Sequence, residues 1–184
     1  MNLGVLPGLR KQIDLSRLEI KPLDSSMNRA AFCCCEPELC DFFRDYAEFH
    51  HNDYSARVHV AVYDGEVVGY YWLIAQSHLA GMFSSDLEPK FERIAFAPCI
   101  YLGMIAVKWS LQGNKIGYAL MMHAFGQTLK AAEHVGVYAL TLEAIDESKA
   151  KTYEKWNFQR FVDGKLDMYI PLGTIRRLLN ETAA

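Results

Sequence analysis

Six consecutive residues, Gln112-Gly113-Asn114-Lys115-Ile116-Gly117, carry the clearest chemistry in this chain. An apolar run ending Ile105-Ala106-Val107 precedes them, and Ile116, Ala119, Leu120 and His123 then recur at helical spacing. The pattern reads as a buried strand, a short polar loop and an apolar helix. Such a loop presents backbone amides at a helix start, where the helix dipole favours negative charge. The chemistry it suits is the binding of phosphate. Lys115 adds a cation beside those amides. The titratable groups that could move a proton are scattered: Glu143, His50, His51, His59 and His78. Nothing in their spacing singles out a base.

Five cysteines are present, and Cys33, Cys34, Cys35 and Cys40 fall in one short segment. Adjacent cysteines point in different directions and no Cys-x-x-Cys pair exists, so the segment is a poor metal site. We expect no metal and reduced thiols, as in the cytoplasm.

The elements that must position the loop are read from pattern. Leu18 to Leu23 is expected as an edge strand, because Pro22 cannot sit mid-sheet. Ser25-Ser26 is expected to cap a helix through Met27, Ala30, Ala31 and Cys34. Pro37 opens a second helix with Leu39, Phe42, Phe43, Tyr46, Ala47 and Phe49 on one apolar face. Val58 to Ser77 reads as a hairpin about Asp64-Gly65, a turn whose central residues need positive φ. Cys99 to Val107 is the central strand, and Gly103 within it signals a bulge or close backbone approach. Ile116 to His134 is a long helix, Tyr138 to Ala144 a strand, and Asp146 to Trp156 a helix. A last hairpin turns at Asp163-Gly164, and a helix begins at Thr174. The stretch from His78 to Pro98 has no clear period.

This order is β-α-α-β-β-β-α-β-α-β. Crossover helices need parallel neighbours and hairpins antiparallel ones, so the fold class is α/β (α+β) with a mixed central sheet flanked by helices. Met1 to Arg17 reads as an N-terminal arm and 18–184 as a single domain. A chain of 184 residues with 51% apolar content holds one full core. No apolar run is long enough for a membrane span, and Met1 to Gln12 lacks a secretory core. A net charge of −3 gives no support for broad nucleic-acid binding, although Lys149, Lys151 and Lys155 could form a local basic patch.

Two motifs carry a resemblance. Gln112-x-x-Lys115-x-Gly117 resembles the pyrophosphate loop of the GNAT superfamily of acetyl-CoA-dependent N-acyltransferases. That loop reads Gln or Arg, two residues, Gly, one residue, Gly or Ala. Lys115 stands where the first glycine is usual. Tyr153-Glu154-Lys155-Trp156-Asn157-Phe158 resembles the Tyr-Glu-Lys-x-Gly-Phe that ends a later helix of many such enzymes, with Asn157 in the glycine's place. A narrower likeness covers Phe32 to Phe43, Val58 to Val62 and Val68 to Tyr71, which look like the front half of GNAT toxins from bacterial toxin–antitoxin modules.

The resemblance implies a GNAT-like fold and acetyl-CoA as cofactor. It implies pyrophosphate held by Gln112, Gly113, Asn114, Lys115, Ile116, Gly117 and Tyr118. It implies a thioester carbonyl polarised by backbone amides within Met104, Ile105, Ala106 and Val107, and Tyr153 as the acid that protonates the departing thiolate. The toxin likeness adds aminoacyl-tRNA as acceptor and an antitoxin partner; relatives of this superfamily are often dimers, so a homodimer is an option, and the missing secretory core points to a cytoplasmic location. Other readings stand beside it. Tyr153 also suits a helix packing face. The acceptor could be a small amine, amino acid or peptide. Lys115 could mark a non-catalytic acyl-CoA-binding module or an interaction protein.

Overall fold

The computed structural model describes residues 12–83, 95–162 and 164–183. Their seven strands, β1 to β7 in chain order, are Glu19–Pro22, Arg57–Tyr63, Glu66–Leu79, Phe96–Val107, Ala139–Glu143, Gln159–Arg160 and Asp167–Pro171, and they follow the sheet order β1-β2-β3-β4-β5-β7-β6. The chain divides into two compact units, Met1–Tyr71 with Met104–Leu120, and Trp72–Gly103 with Met121–Ala184.

In the first unit, Asp14 caps a 3-10 turn at Leu15–Arg17, and β1 is Glu19–Pro22. It pairs antiparallel with β2, Arg57–Tyr63, at the edge of the sheet, which spares Pro22 a ladder bond on its outer side. The expected helix from Met27 to Cys34 is absent; turns replace it. The Asp24 carboxylate accepts from the Ser26 amide at 2.9 Å, and the Asn28 side chain accepts from the Ala30 amide at 3.0 Å. Those local bonds offer the backbone an alternative to the helix ladder.

The second expected helix forms as α1, Pro37–Asp41, and α2, Ala47–Asn52, joined by a π-helical turn over Phe42–Tyr46. The wider turn shifts the register of α2 against α1. Phe43 and Ala47 are therefore buried, while Tyr46 and Phe49 face solvent, against the single apolar face expected. Phe43 stacks on Tyr70 at 4.3 Å, and Phe32 meets both rings edge-on. The Tyr70 hydroxyl donates to the Leu39 carbonyl at 2.7 Å.

Asp64 and Gly65 have φ of 51° and 80°, the turn that joins β2 to β3, Glu66–Leu79. Gly69 in β3 runs close to β4, Phe96–Val107: a Cβ there would lie 2.9 Å from the Ala106 carbonyl oxygen.

In the second unit, β5 is Ala139–Glu143, parallel to β4 and antiparallel to β7, Asp167–Pro171. The short β6, Gln159–Arg160, pairs with β7. The helix α3, Ile116–Ala132, begins in the first unit and ends in the second. It is the crossover that the parallel β4–β5 step requires. The helices α4, Glu147–Glu154, and α5, Leu172–Ala183, complete the chain. Phe83, Ala97, Cys99, Ala139, Phe161 and Tyr169 form one buried cluster here. Gly103 is a close approach, as expected: a Cβ would fall 2.3 Å from the Trp72 ring. Most of the stretch His78 to Pro98, Asp163 of the last turn, and 1–11 of the arm lie outside the described residues.

Candidate active site

The strand β4 ends at Val107, and the chain turns at once. The Lys108 amide donates to the Val68 carbonyl at 2.8 Å and the Trp109 amide to the Cys33 carbonyl at 2.8 Å. A 3-10 turn over Trp109–Leu111 comes next, pinned by the buried Leu111. The Gln112 side-chain amide then donates to the carbonyls of both Val107 and Cys34, each at 3.2 Å. The Asn114 side chain donates to the Leu111 carbonyl at 3.0 Å and accepts from the Ile13 amide at 3.3 Å. Gln112 and Asn114 thus brace the loop and leave its backbone to a ligand.

The loop's conformation is its most informative feature. Gly113 has φ 88° and Lys115 has φ 62°. Lys115 occupies the left-handed region natural to the glycine expected at that position. Its carbonyl accepts from the Ala119 amide at 3.0 Å, so it is the residue from which α3 starts. The first-turn amides of a helix have no intrahelical acceptor. Ile116 anchors this start at 1% exposure, whereas Lys115 is exposed. Gly117 has negative φ, and an added Cβ would touch only the Val107 side chain, at 3.8 Å. Nothing among the described residues requires glycine there, and a smooth surface for a close ligand is the remaining use. Donors, dipole and a nearby cation together fit a pyrophosphate.

In the second unit, Asp146 caps α4, accepting from the Lys149 amide at 2.7 Å. The helix ends in a Schellman motif. The Phe158 amide donates to the Tyr153 carbonyl at 3.1 Å, the Asn157 amide to the Glu154 carbonyl at 3.0 Å, and Asn157 has φ 66°. The motif folds Phe158 back onto Tyr153, their rings 5.7 Å apart, and Trp156 meets the same ring at 5.9 Å. Desolvation pushes the Tyr153 phenol up to about 12. It stays protonated at neutral pH and is a hydroxyl donor in an apolar setting. Packing against Phe158 accounts for the ring; it does not use the hydroxyl.

None of the candidate bases is dedicated to catalysis by its surroundings. His51 accepts from the Val58 amide at 3.1 Å, and burial lowers its pKa. His50 pairs with the Ser55 hydroxyl at 2.8 Å, and His59 stacks on Tyr71. His78 contacts the Gln76 side-chain oxygen at 3.2 Å; burial lowers its pKa, with Asp167 opposing. Glu143 is exposed and faces Asp167 across the strand pair. The carbonyls of Cys33 and Cys34, which hold the loop in place, are not identifiable from sequence, because the partner residues stand far apart in the chain.

A model of the acetyltransferase (GNAT) family matches residues 23–158. A tRNA-acetylating toxin of Mycobacterium tuberculosis is 26% identical over 155 residues, 82% of this chain and 90% of that protein. The solved structure of AtaT complexed with acetyl-methionyl-tRNAfMet is 25% identical, covers 88% of this chain and 98% of that one, and superposes with a TM-score of 0.80. A structure of AtaTR bound with AcCoA is 25% identical over 89% of this chain and 98% of that one, with a TM-score of 0.77. The left-handed loop at the end of β4, the helix it starts and the Tyr153 helix end are the parts the sequence motifs mark. With the family model spanning both of them, the chain belongs to the acetyltransferase (GNAT) family.

Proposed function

We propose that this chain is an acetyl-CoA-dependent N-acetyltransferase whose acceptor is the amino group of an aminoacyl-tRNA. The observation that carries the donor half is Lys115, which holds the glycine-like conformation at φ 62° and so keeps the loop's shape despite the changed residue. The acceptor half rests on similarity to the mycobacterial tRNA-acetylating toxin and to tRNA-bound AtaT.

Acetyl-CoA, when bound, supplies an acetyl group activated as a thioester. Backbone amides of Gly113 to Tyr118 would hold its pyrophosphate, with Lys115 adding charge. An amide of the Met104–Val107 segment would polarise the acyl carbonyl. The Tyr153 hydroxyl would donate its proton to the departing thiolate, and the amine would lose its proton to water or buffer. No side chain need serve as base, because an aminoacyl ester amine is partly neutral at physiological pH. Lys149, Lys151 and Lys155 are exposed along and just after α4, the helix that carries Tyr153, and Lys151 and Lys155, four apart, share a side that we assign to an RNA backbone. We read 18–184 as one catalytic domain behind an N-terminal arm, working in the cytoplasm as a homodimer with an antitoxin protein as partner.

The test is calorimetric titration with acetyl-CoA and with coenzyme A, beside a Gln112→Ala/Gly117→Trp double variant. Micromolar binding lost in the variant supports the donor site; no binding to the parent chain sinks it. Acetylation of charged tRNA is then assayed with a Lys149→Glu/Lys151→Glu/Lys155→Glu variant. Loss of tRNA acetylation with unchanged acetyl-CoA affinity supports the RNA acceptor. Equal tRNA acetylation by both proteins removes the three lysines from the RNA site, and turnover of small amines alone replaces the acceptor with a small molecule.

A further inference from the structure

The cysteine segment takes no part in the proposed chemistry, yet it touches the loop. Cys34 and Cys40 are both buried, with their sulfurs 3.3 Å apart. The Cys34 amide donates to the Cys40 sulfur at 3.1 Å. Cys33 and Cys35 are exposed, and Cys33 is within side-chain hydrogen-bonding reach of Cys40. The same segment accepts the Trp109 amide on the Cys33 carbonyl and the Gln112 side chain on the Cys34 carbonyl.

We propose that Cys33, Cys34 and Cys40 form a thiol oxidation site whose stable product is a Cys34–Cys40 disulfide, and that this bond weakens acetyl-donor binding. The regulatory half rests on the acetyl-CoA reading of the loop; the thiol half does not.

The oxidant is a hydroperoxide, and the exposed thiol is its entry. The Cys33 thiolate attacks a peroxide oxygen, the O–O bond breaks, and hydroxide leaves, giving a sulfenic acid. The Cys40 thiolate displaces hydroxide from that sulfur. The Cys34 thiolate then attacks the Cys40 sulfur and releases Cys33 as thiolate. Two thiols and one hydrogen peroxide become one disulfide and two waters, and Cys33 is regenerated. The middle step suits Cys40. Burial opposes its charged form, but hydrogen bonds from the Cys34 amide and thiol and from Cys33 outweigh burial and lower its pKa. Burial raises the Cys34 thiol, and its sulfur, 3.3 Å from that of Cys40, is placed to close the final bond. Closing the bond draws the Cys34 sulfur from 3.3 Å to bonding distance and moves the carbonyl that holds Gln112.

The full chain is reduced, desalted, titrated with hydrogen peroxide, and cut without reductant by a glutamate-specific protease. Cleavage after Glu38 separates Cys33, Cys34 and Cys35 from Cys40, and fragmentation sequencing of the linked pair identifies which of the three is joined. A peptide pair joined through Cys34 and Cys40, released by dithiothreitol, supports the site; Cys40 left unlinked overturns it. In Cys34→Ser the link should stop at Cys33–Cys40, and a link to Cys35 instead would overturn the relay. Acetyl-CoA titration of the cross-linked protein should show Kd raised about tenfold, the order of one lost hydrogen bond, and restored on reduction. An unchanged Kd with the bond formed overturns the regulatory half. Reduced protein that binds no acetyl-CoA removes the donor reading, while the peptide map still decides the thiol site.

Discussion

The loop after β4 and the end of α4 solve one problem in two ways. Each places a residue other than glycine in the left-handed region. Asn157 sits at φ 66° inside a Schellman motif made wholly of neighbouring residues. Asparagine tolerates that region, so the local sequence is sufficient. Lys115 sits at φ 62°, where a long side chain costs on the order of 1 kcal/mol or more. Distant residues hold it there: the carbonyls of Cys33 and Cys34, and Ile13 on Asn114. One region is shaped by its neighbours in the chain, the other by the fold around it. A turn enforced from outside can accept an unfavourable residue, and a self-contained cap cannot.

The largest effect we expect separates hydroxyl from ring. Tyr153→Phe keeps the contact with Phe158 and should lower kcat by about a hundredfold or more, with acetyl-CoA affinity unchanged. Equal kcat would return Tyr153 to a packing role.

Gln112→Ala should be next. It strands two carbonyls and should cost about 1–3 kcal/mol of stability while raising the acetyl-CoA Kd, measured by melting and calorimetry. A variant as stable as the parent would mean that the brace does not hold the loop.

The two left-handed sites should then diverge. Lys115→Gly relieves backbone strain but adds unfolded-state freedom, for a net gain of up to about 1 kcal/mol. Asn157→Gly should change stability by less than about 0.5 kcal/mol. Equal responses would erase the contrast. Lys115→Ala keeps the strain and loses the charge, so its Kd should rise; an unchanged Kd would show that the amides alone bind.

The smallest effect is in pH. An ordinary tyrosine ionises near 10 and Tyr153 near 12, so folding favours the protonated phenol. Its contribution to stability is complete below about pH 10 and is lost between there and pH 12. Below that window kcat should show no alkaline limb from Tyr153. A limb near pH 9 that disappears in Tyr153→Phe would contradict the assignment.

Local signals are legible in the sequence and long-range ones are not. Asp64-Gly65, Asp146 and Asn157 each act within a few residues, and each appears where its type predicts. Lys115 looks like a defect in the motif because sequence shows the identity of a residue and not its φ. The helix expected over Met27 to Cys34 does not form: the Asn28 side chain takes the Ala30 amide that would open the helix ladder, and the Asp24 side chain turns the chain at the expected cap, Ser26. The π-helical turn at Phe42–Tyr46 has no residue signature, so helical spacing alone misplaces Tyr46 and Phe49. The bonds to Cys33 and Cys34 join residues far apart in the chain, and no spacing rule reaches that far.

The Gln112 brace also constrains how such a chain can drift. One planar nitrogen carries two hydrogens, and each goes to a different carbonyl. Arginine is the other side chain with both the reach and enough planar N–H groups to answer both at once; asparagine carries the same amide one methylene short. Histidine offers too few, and lysine lacks the plane. The alternation of Gln and Arg at the head of this loop is therefore a vocabulary of two words. Any lineage that loses both should be found to have rewritten residues 33–35 as well.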